Sequence, residues 1–179
     1  MPVPDRRFEE MSKGQAERLL VICQELLTEA GLEASDLSAI GVGIGPGNFT
    51  GIRISVAAAR GLALGLGIPA IGVSGFEALR YGRDGLCTTS INARRDQVYV
   101  QSFGTKRAEE PRLMPLCDLD SLPGPVIGAG GAAPLTATSV AVAHIAGTRL
   151  DRPQPRPAPL YLRPADAAPA KDAAPAILS

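Results

Sequence analysis

The residues of this chain that could do chemistry are concentrated in a glycine-dense segment. It runs from Gly41 to Arg53 and reads GVGIGPGNFTGIR, leading from an apolar stretch into a helical one. Loops of this kind let backbone N–H groups converge on an anion at a helix N-terminus. The candidate loop residues are Gly45, Pro46, Gly47, Phe49, Thr50, Gly51 and Arg53.

A second interpretation of this segment needs no ligand. Glycine makes a tight turn sterically possible, and the spacing alone favours such a turn. No lysine precedes Thr50, as a phosphate-binding P-loop requires, and the glycines do not spell G-x-G-x-x-G. Phosphate binding by the segment therefore stays a hypothesis at this point.

The sequence shows no recognisable catalytic or metal-binding pattern. His144 is the only histidine, so zinc sites built on a histidine pair are excluded. The three cysteines are widely spaced, without a C-x-x-C pair, which argues against a disulfide framework. Asp118 and Asp120 could hold a cation, although solvated turn residues are the better interpretation. We predict no catalytic residue and no metal ligand.

Two apolar helices flank the glycine-dense segment. The first is predicted over Gln15–Ala30, with Gly31 placed to end it, and its apolar residues recur at helical spacing. Val21 and Ile22 widen the apolar stripe, and a stripe this wide often packs against two neighbours.

The second helix is predicted from Ile52 to Leu66, with Ala57, Gly61 and Gly65 four residues apart on one face. Each glycine costs about 1 kcal/mol of helix stability relative to alanine, so close packing of another helix should compensate. The packing helix could be the chain's own first helix or a helix of a partner, and the two kinds of packing could occur together.

The remaining pattern predicts an α/β sandwich. Ile40–Ile44 and Ile68–Val73 are predicted strands, and Gly75–Tyr81 is a predicted short helix. Further predictions are a hairpin of Leu86–Ile91 with Gln97–Phe103, a strand in 126–131, and a weak helix at 139–150. We predict an amino-terminal lobe at 1–83, a carboxy-terminal lobe at 84–165, and a disordered tail rich in proline and alanine at 166–179.

Composition restricts the function classes. Eighteen basic and eighteen acidic residues cancel, so no global field should draw the chain onto nucleic acid or an anionic membrane. The amino terminus has no apolar run, and Arg53 and Arg60 interrupt the apolar stretch at 52–73, so we expect a cytoplasmic protein without a membrane span.

Residues 45–79, GPGNFTGIRISVAAARGLALGLGIPAIGVSGFEAL, closely resemble the TsaB (YeaZ) family and its loop G-P-G-[ST]-F-T-G-[LIV]-R. Asn48 replaces the usual serine or threonine. The resemblance extends over 13–31, 92–103 and 159–164 and so covers most of the chain. It implies an actin-like, RNase H-like (ASKHA) α/β fold of two lobes.

The resemblance also implies a function. TsaB-type proteins are non-catalytic partner subunits in the synthesis of N6-threonylcarbamoyladenosine in tRNA, paired with a TsaD subunit through the first two helices. A TsaD-like subunit and a TsaE-like ATPase are therefore the expected partners, and ATP and metal are expected on these partners. The chain is expected to contact tRNA only indirectly. Alone, it could form a homodimer. The expected interface residues are Leu19, Leu20, Cys23, Leu27, Ala57, Gly61, Leu64 and Gly65.

Two departures from the family pattern affect these expectations. Family members begin with a strand carrying Asp-Thr-[SA] and a following hairpin, and this sequence starts after both, which suggests an upstream start codon. Asn92 stands where the family often has aspartate. The alternative function is an autonomous actin-like nucleotide-binding phosphotransferase or hydrolase with Gly45–Gly51 as its phosphate loop. A peptidase of this wider group would need zinc ligands that the sequence lacks.

Overall fold

A computed structural model of the chain describes residues 6–11, 13–106 and 109–162, so the predicted tail lies outside the described residues. In chain order the elements are α1 (Gln15–Ala30), β1 (Ile40–Gly43), α2 (Phe49–Leu66), β2 (Ala70–Val73), α3 (Gly75–Arg80), β3 (Cys87–Asn92), β4 (Gln97–Phe103), β5 (Arg112–Pro115), β6 (Val126–Gly128) and α4 (Thr138–Gly147). Short 3₁₀ helices at Ala34–Asp36 and Leu116–Ser121 complete the set. The predicted mixed α/β architecture is confirmed.

The first sheet is the parallel pair β1 and β2, joined by the crossover helix α2. Successive side chains of a strand point to opposite faces, so the two faces of this sheet can pack against different helices. Val42 packs with Ile52 and Val56 of α2. Gly41 is turned to α4, where a Cβ on this glycine would lie 2.9 Å from the Cβ of Ala146. Helices therefore cover both faces of β1.

The second sheet has the strand order β5-β4-β3-β6. The predicted hairpin is confirmed, because β3 and β4 pair antiparallel with Cys87 opposite Phe103. Strand β5 was not predicted, since Arg-Leu-Met-Pro contains no β-branched or aromatic residue to mark a strand. The core of this part of the molecule is formed by Val98, Val100 and Leu119.

The chain returns to the first sheet after the second one is complete. Helix α4 packs on β1, β2 and α3, with Ala141 and Val142 in one cluster with Val73. The backbone N–H of Leu160 then donates to the carbonyl of Ile44 at 2.7 Å. The predicted lobe boundary at residues 83 and 84 stays a prediction. Helix α4, which follows that boundary in the chain, packs on the sheet that precedes it.

Helix α2 is long and apolar enough to cross a membrane by length and composition alone. Core helices that pack on a sheet satisfy the same criterion. Here Ile52, Val56, Ala59 and Ala63 are buried, and two arginines interrupt the apolar sequence. The packing of α2 on β1 accounts for the apolar character of one face of the helix.

Candidate docking surface and glycine loop

Helix α1 lies at the outside of the described structure. It is amphipathic, yet none of its sixteen residues is buried. Its main contact is with α2, and Leu20 and Val21 remain 49% and 47% exposed. An amphipathic helix of a soluble domain usually buries its apolar stripe against the core. Here Leu19, Cys23 and Leu27 are only half-buried, so much of the stripe stays accessible.

The outer face of α2 is equally accessible. Ala57, Gly61, Leu64 and Gly65 are all exposed, and Leu64 is 86% exposed. A Cβ built on Gly61 or Gly65 would meet no atom of the described residues within 4 Å. Helix α1 therefore does not pack closely on these glycines. We call the eight predicted interface residues on the two helices, Leu19, Leu20, Cys23, Leu27, Ala57, Gly61, Leu64 and Gly65, the α1/α2 surface.

The charged side of α1 is occupied by the preceding segment of the chain. Arg7 pairs with Glu25 and Glu29, and Arg18 pairs with Glu9 at 2.6 Å and with Glu25 at 2.8 Å. Hydrogen bonds from Arg18 lower the pKa of Glu9 and of Glu25. Arg18, Glu25 and Glu29 lie on one stripe because helical residues seven or eleven apart share a face. Local ion pairs therefore cover the charged side of α1 and leave its apolar side open.

The glycine loop is held by hydrogen bonds within the protein. Asn48 is the N-cap of α2, and its Oδ1 accepts from the N–H of Gly51 at 3.0 Å. The carbonyl of Gly45 accepts from the N–H of Gly75 at 2.8 Å, which ties the loop to the start of α3. Gly45 has φ +100°, and a Cβ there would lie 2.6 Å from Cδ1 of Ile52. Glycine is therefore required at this position by backbone conformation and by close packing.

A three-residue cluster anchors the loop to the last described residues. Nε of Arg53 donates to the hydroxyl of Tyr161 at 2.8 Å, and its guanidinium lies 3.8 Å from the ring centroid of Phe49. The rings of Phe49 and Tyr161 are 4.8 Å apart. Sequence reasoning missed the role of Tyr161, although the apolar residues 160–162 within a proline-rich stretch were the signal for it. The remaining loop residues differ in exposure, with Pro46 buried and Gly47 and Thr50 exposed.

The side chains that could do other chemistry are dispersed. Within residues 6–11, 13–106 and 109–162, no group of three or more His, Cys, Asp or Glu residues could hold a metal ion. His144 stacks on Tyr81 at 5.5 Å. The hydrogen bond of Cys117 to Asp118 raises the pKa of its thiol, which reduces the thiolate fraction that a nucleophile needs. These residues pack or pair locally, and they do not converge on one site.

Comparison with known proteins gives sequence matches of two kinds. The model of a family described as TsaD, tRNA N6-adenosine threonylcarbamoyltransferase, matches residues 9–115. The tRNA threonylcarbamoyladenosine biosynthesis protein TsaB of Escherichia coli K12 is 38% identical over 101 residues, 54% of this chain and 44% of that protein. An uncharacterized protein of Mycobacterium tuberculosis H37Rv is 34% identical over 171 residues, 88% of this chain and 79% of that protein. The match to the E. coli protein thus spans less than half of its length.

A solved structure supports the same relationship. YeaZ from Pseudomonas aeruginosa superimposes with a TM-score of 0.63 at 25% identity, covering 87% of this chain and 88% of that one. The superposition extends over most of both chains. The predicted actin-like, RNase H-like fold class is confirmed.

Proposed function

Because the chain belongs to the TsaB (YeaZ) family, we propose that it acts in tRNA threonylcarbamoyladenosine biosynthesis as a non-catalytic partner subunit. In this proposal it binds a TsaD-like subunit through the α1/α2 surface. A TsaE-like ATPase is the expected third component, and ATP and metal belong to the partner subunits.

The observation that carries the proposal is an apolar surface on α1 and α2 that the described residues leave uncovered. Single exposed apolar residues are ordinary, whereas several on two helices that contact each other favour an interaction site. Leu20 and Leu64 are exposed on neighbouring helices, and α1 has no buried residue at all. Burial of such a surface by a partner would contribute roughly 25 cal/mol per Å² of apolar area removed from water.

The glycines of α2 favour a helix as the element that covers this surface. Glycine in a helix interior is unfavourable, and packed helices approach to 8–10 Å between axes depending on the side chains at the contact. Gly61 and Gly65 are four residues apart and open within the described structure, so they leave a shallow groove along α2. A partner helix seated there would make backbone-to-backbone contact that a larger side chain would block.

Replacement of Gly61 by leucine tests the docking assignment. The new side chain meets open space in the free chain, and leucine favours a helix more than glycine does, so the folded state should be retained. Co-purification with a TsaD-like subunit should be lost. The matched control is Gly147→Leu, which also places leucine at an exposed, open glycine position, but at the end of α4.

Each result of this comparison has a definite meaning. Loss of the complex for Gly61→Leu, with an unchanged complex for Gly147→Leu, supports docking through the α1/α2 surface. An intact complex for both variants would contradict it. Circular dichroism of the free variants confirms that each is folded before the complexes are compared.

The alternative function, autonomous nucleotide binding at Gly45–Gly51, stays a prediction. The N–H of Gly51 is already bonded to Asn48, so a phosphate would have to compete with the protein's own side chain for that donor. Calorimetry of the full-length chain with ATP and magnesium provides the test. Micromolar binding would favour the alternative over the partner-subunit role.

A further inference from the structure

A groove of about 800 Å³ lies beside the far end of α2, away from the glycine loop. Its walls are the second half of α2, the start of β2, and the extended segment at 149–157. Ala63 and Ile71 form part of a buried apolar floor. Arg60, Arg152 and Arg156 are exposed, so the rim opens to solvent.

The charge of this groove differs from that of the whole chain. Basic and acidic residues balance at eighteen each in the sequence, but the part of the chain that the structure describes lines the groove with four arginines and a single acid, Asp151. The charged residues of the lining are Arg60, Arg149, Asp151, Arg152 and Arg156. A field of one sign in a concave site raises the local concentration of oppositely charged ligands.

Three of these arginines are available to a ligand. Arg149 is committed, because it donates to the carbonyl of Gly72 at 3.1 Å and pairs with Glu77. Among residues 6–11, 13–106 and 109–162, no partner pairs with the guanidinium of Arg60, Arg152 or Arg156. Like charges clustered around one groove repel, so an anion placed between them would stabilise the arrangement.

We propose that this arginine groove binds the phosphodiester backbone of RNA. The guanidinium group matches phosphate geometry with two parallel hydrogen bonds, which lysine does not offer. None of the described lining residues is aromatic, so they offer no platform on which bases could stack. Binding would therefore be electrostatic and independent of sequence. The choice of RNA over another polyanion rests on the proposed function in tRNA modification.

The groove adjoins the α1/α2 surface. Gly61 and Leu64 belong to that surface and also line the groove. A subunit docked on α1 and α2 would therefore lie beside the bound RNA. From the balanced charge of the whole sequence we predicted only indirect contact with tRNA. The cluster of arginines around this groove instead favours direct contact there.

Fluorescence anisotropy of labelled tRNA with the full 179-residue chain at several salt concentrations tests the proposal. Three phosphate contacts predict a slope of log K against log salt of about −2.7, or roughly a 40-fold loss of affinity between 50 and 200 mM salt. The double variant Arg152→Gln/Arg156→Gln should reduce the slope by about 1.8 and weaken binding at least about tenfold at 50 mM salt.

The matched control is Arg94→Gln/Arg95→Gln. It removes the same charge from two exposed arginines in the loop between β3 and β4, and it should leave affinity and slope near those of the unmodified chain. An equal loss in both double variants would show a general effect of charge and would overturn the proposal. Absence of tRNA binding by the unmodified chain at 50 mM salt would overturn it as well.

Two further measurements separate this proposal from its alternatives. Polyglutamate should compete only weakly with tRNA, and competition at equal charge concentration would show an acidic protein segment as the ligand instead. Arg152→Gln/Arg156→Gln should still co-purify with a TsaD-like subunit, because neither arginine lies on the α1/α2 surface. Anisotropy measures tRNA binding by the isolated chain, whereas co-purification measures subunit docking. Failure of one can therefore be distinguished from failure of the other.

Discussion

Helices α1 and α4 are both rich in apolar residues but have opposite surroundings. In α4, Ala141 and Ala146 are 0% and 3% exposed, and the helix packs on both strands of the first sheet. In α1 no residue is buried, and α2 is the main neighbour. The comparison shows that an apolar composition does not by itself decide whether a helix is buried in the core of its own chain.

Glycines show the same contrast. A Cβ on Gly41 would lie 2.9 Å from the Cβ of Ala146, so this glycine exists to let α4 approach β1. A Cβ on Gly61 would meet nothing within 4 Å among the described residues. Internal packing therefore explains the glycine of β1, whereas within the described structure it does not explain the glycine of α2.

The largest expected effect is that of Gly41→Leu. The added side chain would collide with Ala146 and Val142, so α4 would have to move away from the sheet. We expect the free energy of unfolding to fall by about 2 kcal/mol. Gly61→Leu, as the comparison variant, should be neutral or stabilising by up to about 1 kcal/mol. Urea unfolding measures both, and equal destabilisation would remove the contrast between the glycine that α4 approaches closely and the open glycine.

Glu77 offers a second test, because its carboxylate links the start of α3 to the segment that follows α4. It accepts from the N–H and the hydroxyl of Ser74, each at 2.9 Å, and pairs with Arg149 beyond α4. Burial alone would raise the pKa of Glu77, but the hydrogen bonds from Ser74 and Arg149 outweigh burial and lower it. Glu77→Gln should therefore lower the free energy of unfolding at pH 7 by about 1 kcal/mol, allowing for the partial exposure of the pair.

The pH dependence of that loss has a defined sign. A carboxylate with a lowered pKa in the folded state stabilises the protein above its unfolded pKa, near 4.3, and loses this contribution as the pH falls through the folded value. The difference between Glu77→Gln and the unmodified chain should therefore shrink below about pH 4. A difference that stays constant from pH 7 to pH 3 would show that the ionised form has no special role.

The smallest expected effect is that of Leu64→Ala on the free chain. Leu64 is 86% exposed, so its truncation creates no cavity and should change the free energy of unfolding by less than about 0.5 kcal/mol. Thermal unfolding of the free protein measures this. A larger loss would mean that Leu64 already has an intramolecular partner, and the α1/α2 surface would then be smaller than we infer.

Most elements were predictable from the sequence because each follows from local pattern. Helix α1 was predicted over Gln15–Ala30 and occupies those residues, with Gly31 in the left-handed conformation that ends it. Strand β4 occupies the predicted Gln97–Phe103, whereas α4 ends at Gly147 and not at Leu150. The glycine-dense loop was recognisable from its unusual composition, whereas the positive φ of Gly45 is visible only in the structure.

Contacts between distant residues were not predictable from these patterns. The hydrogen bond between Arg53 and Tyr161 joins residues 108 positions apart. Helix α4 packs on β1, although all four strands of the second sheet lie between them in the sequence. The arginine groove combines Arg60 with residues near 150, although the net charge of the sequence is zero.

The sequence by itself thus determined the local elements, the fold class through its resemblance, and the residues of the glycine loop. Periodicity, capping and turn chemistry act over a few neighbouring residues, which is why they can be read from a single chain. Only the tertiary structure decided which apolar faces are covered and where charges of one sign meet. Burial and electrostatic potential depend on what lies across the fold, and long-range packing alone fixes those neighbours.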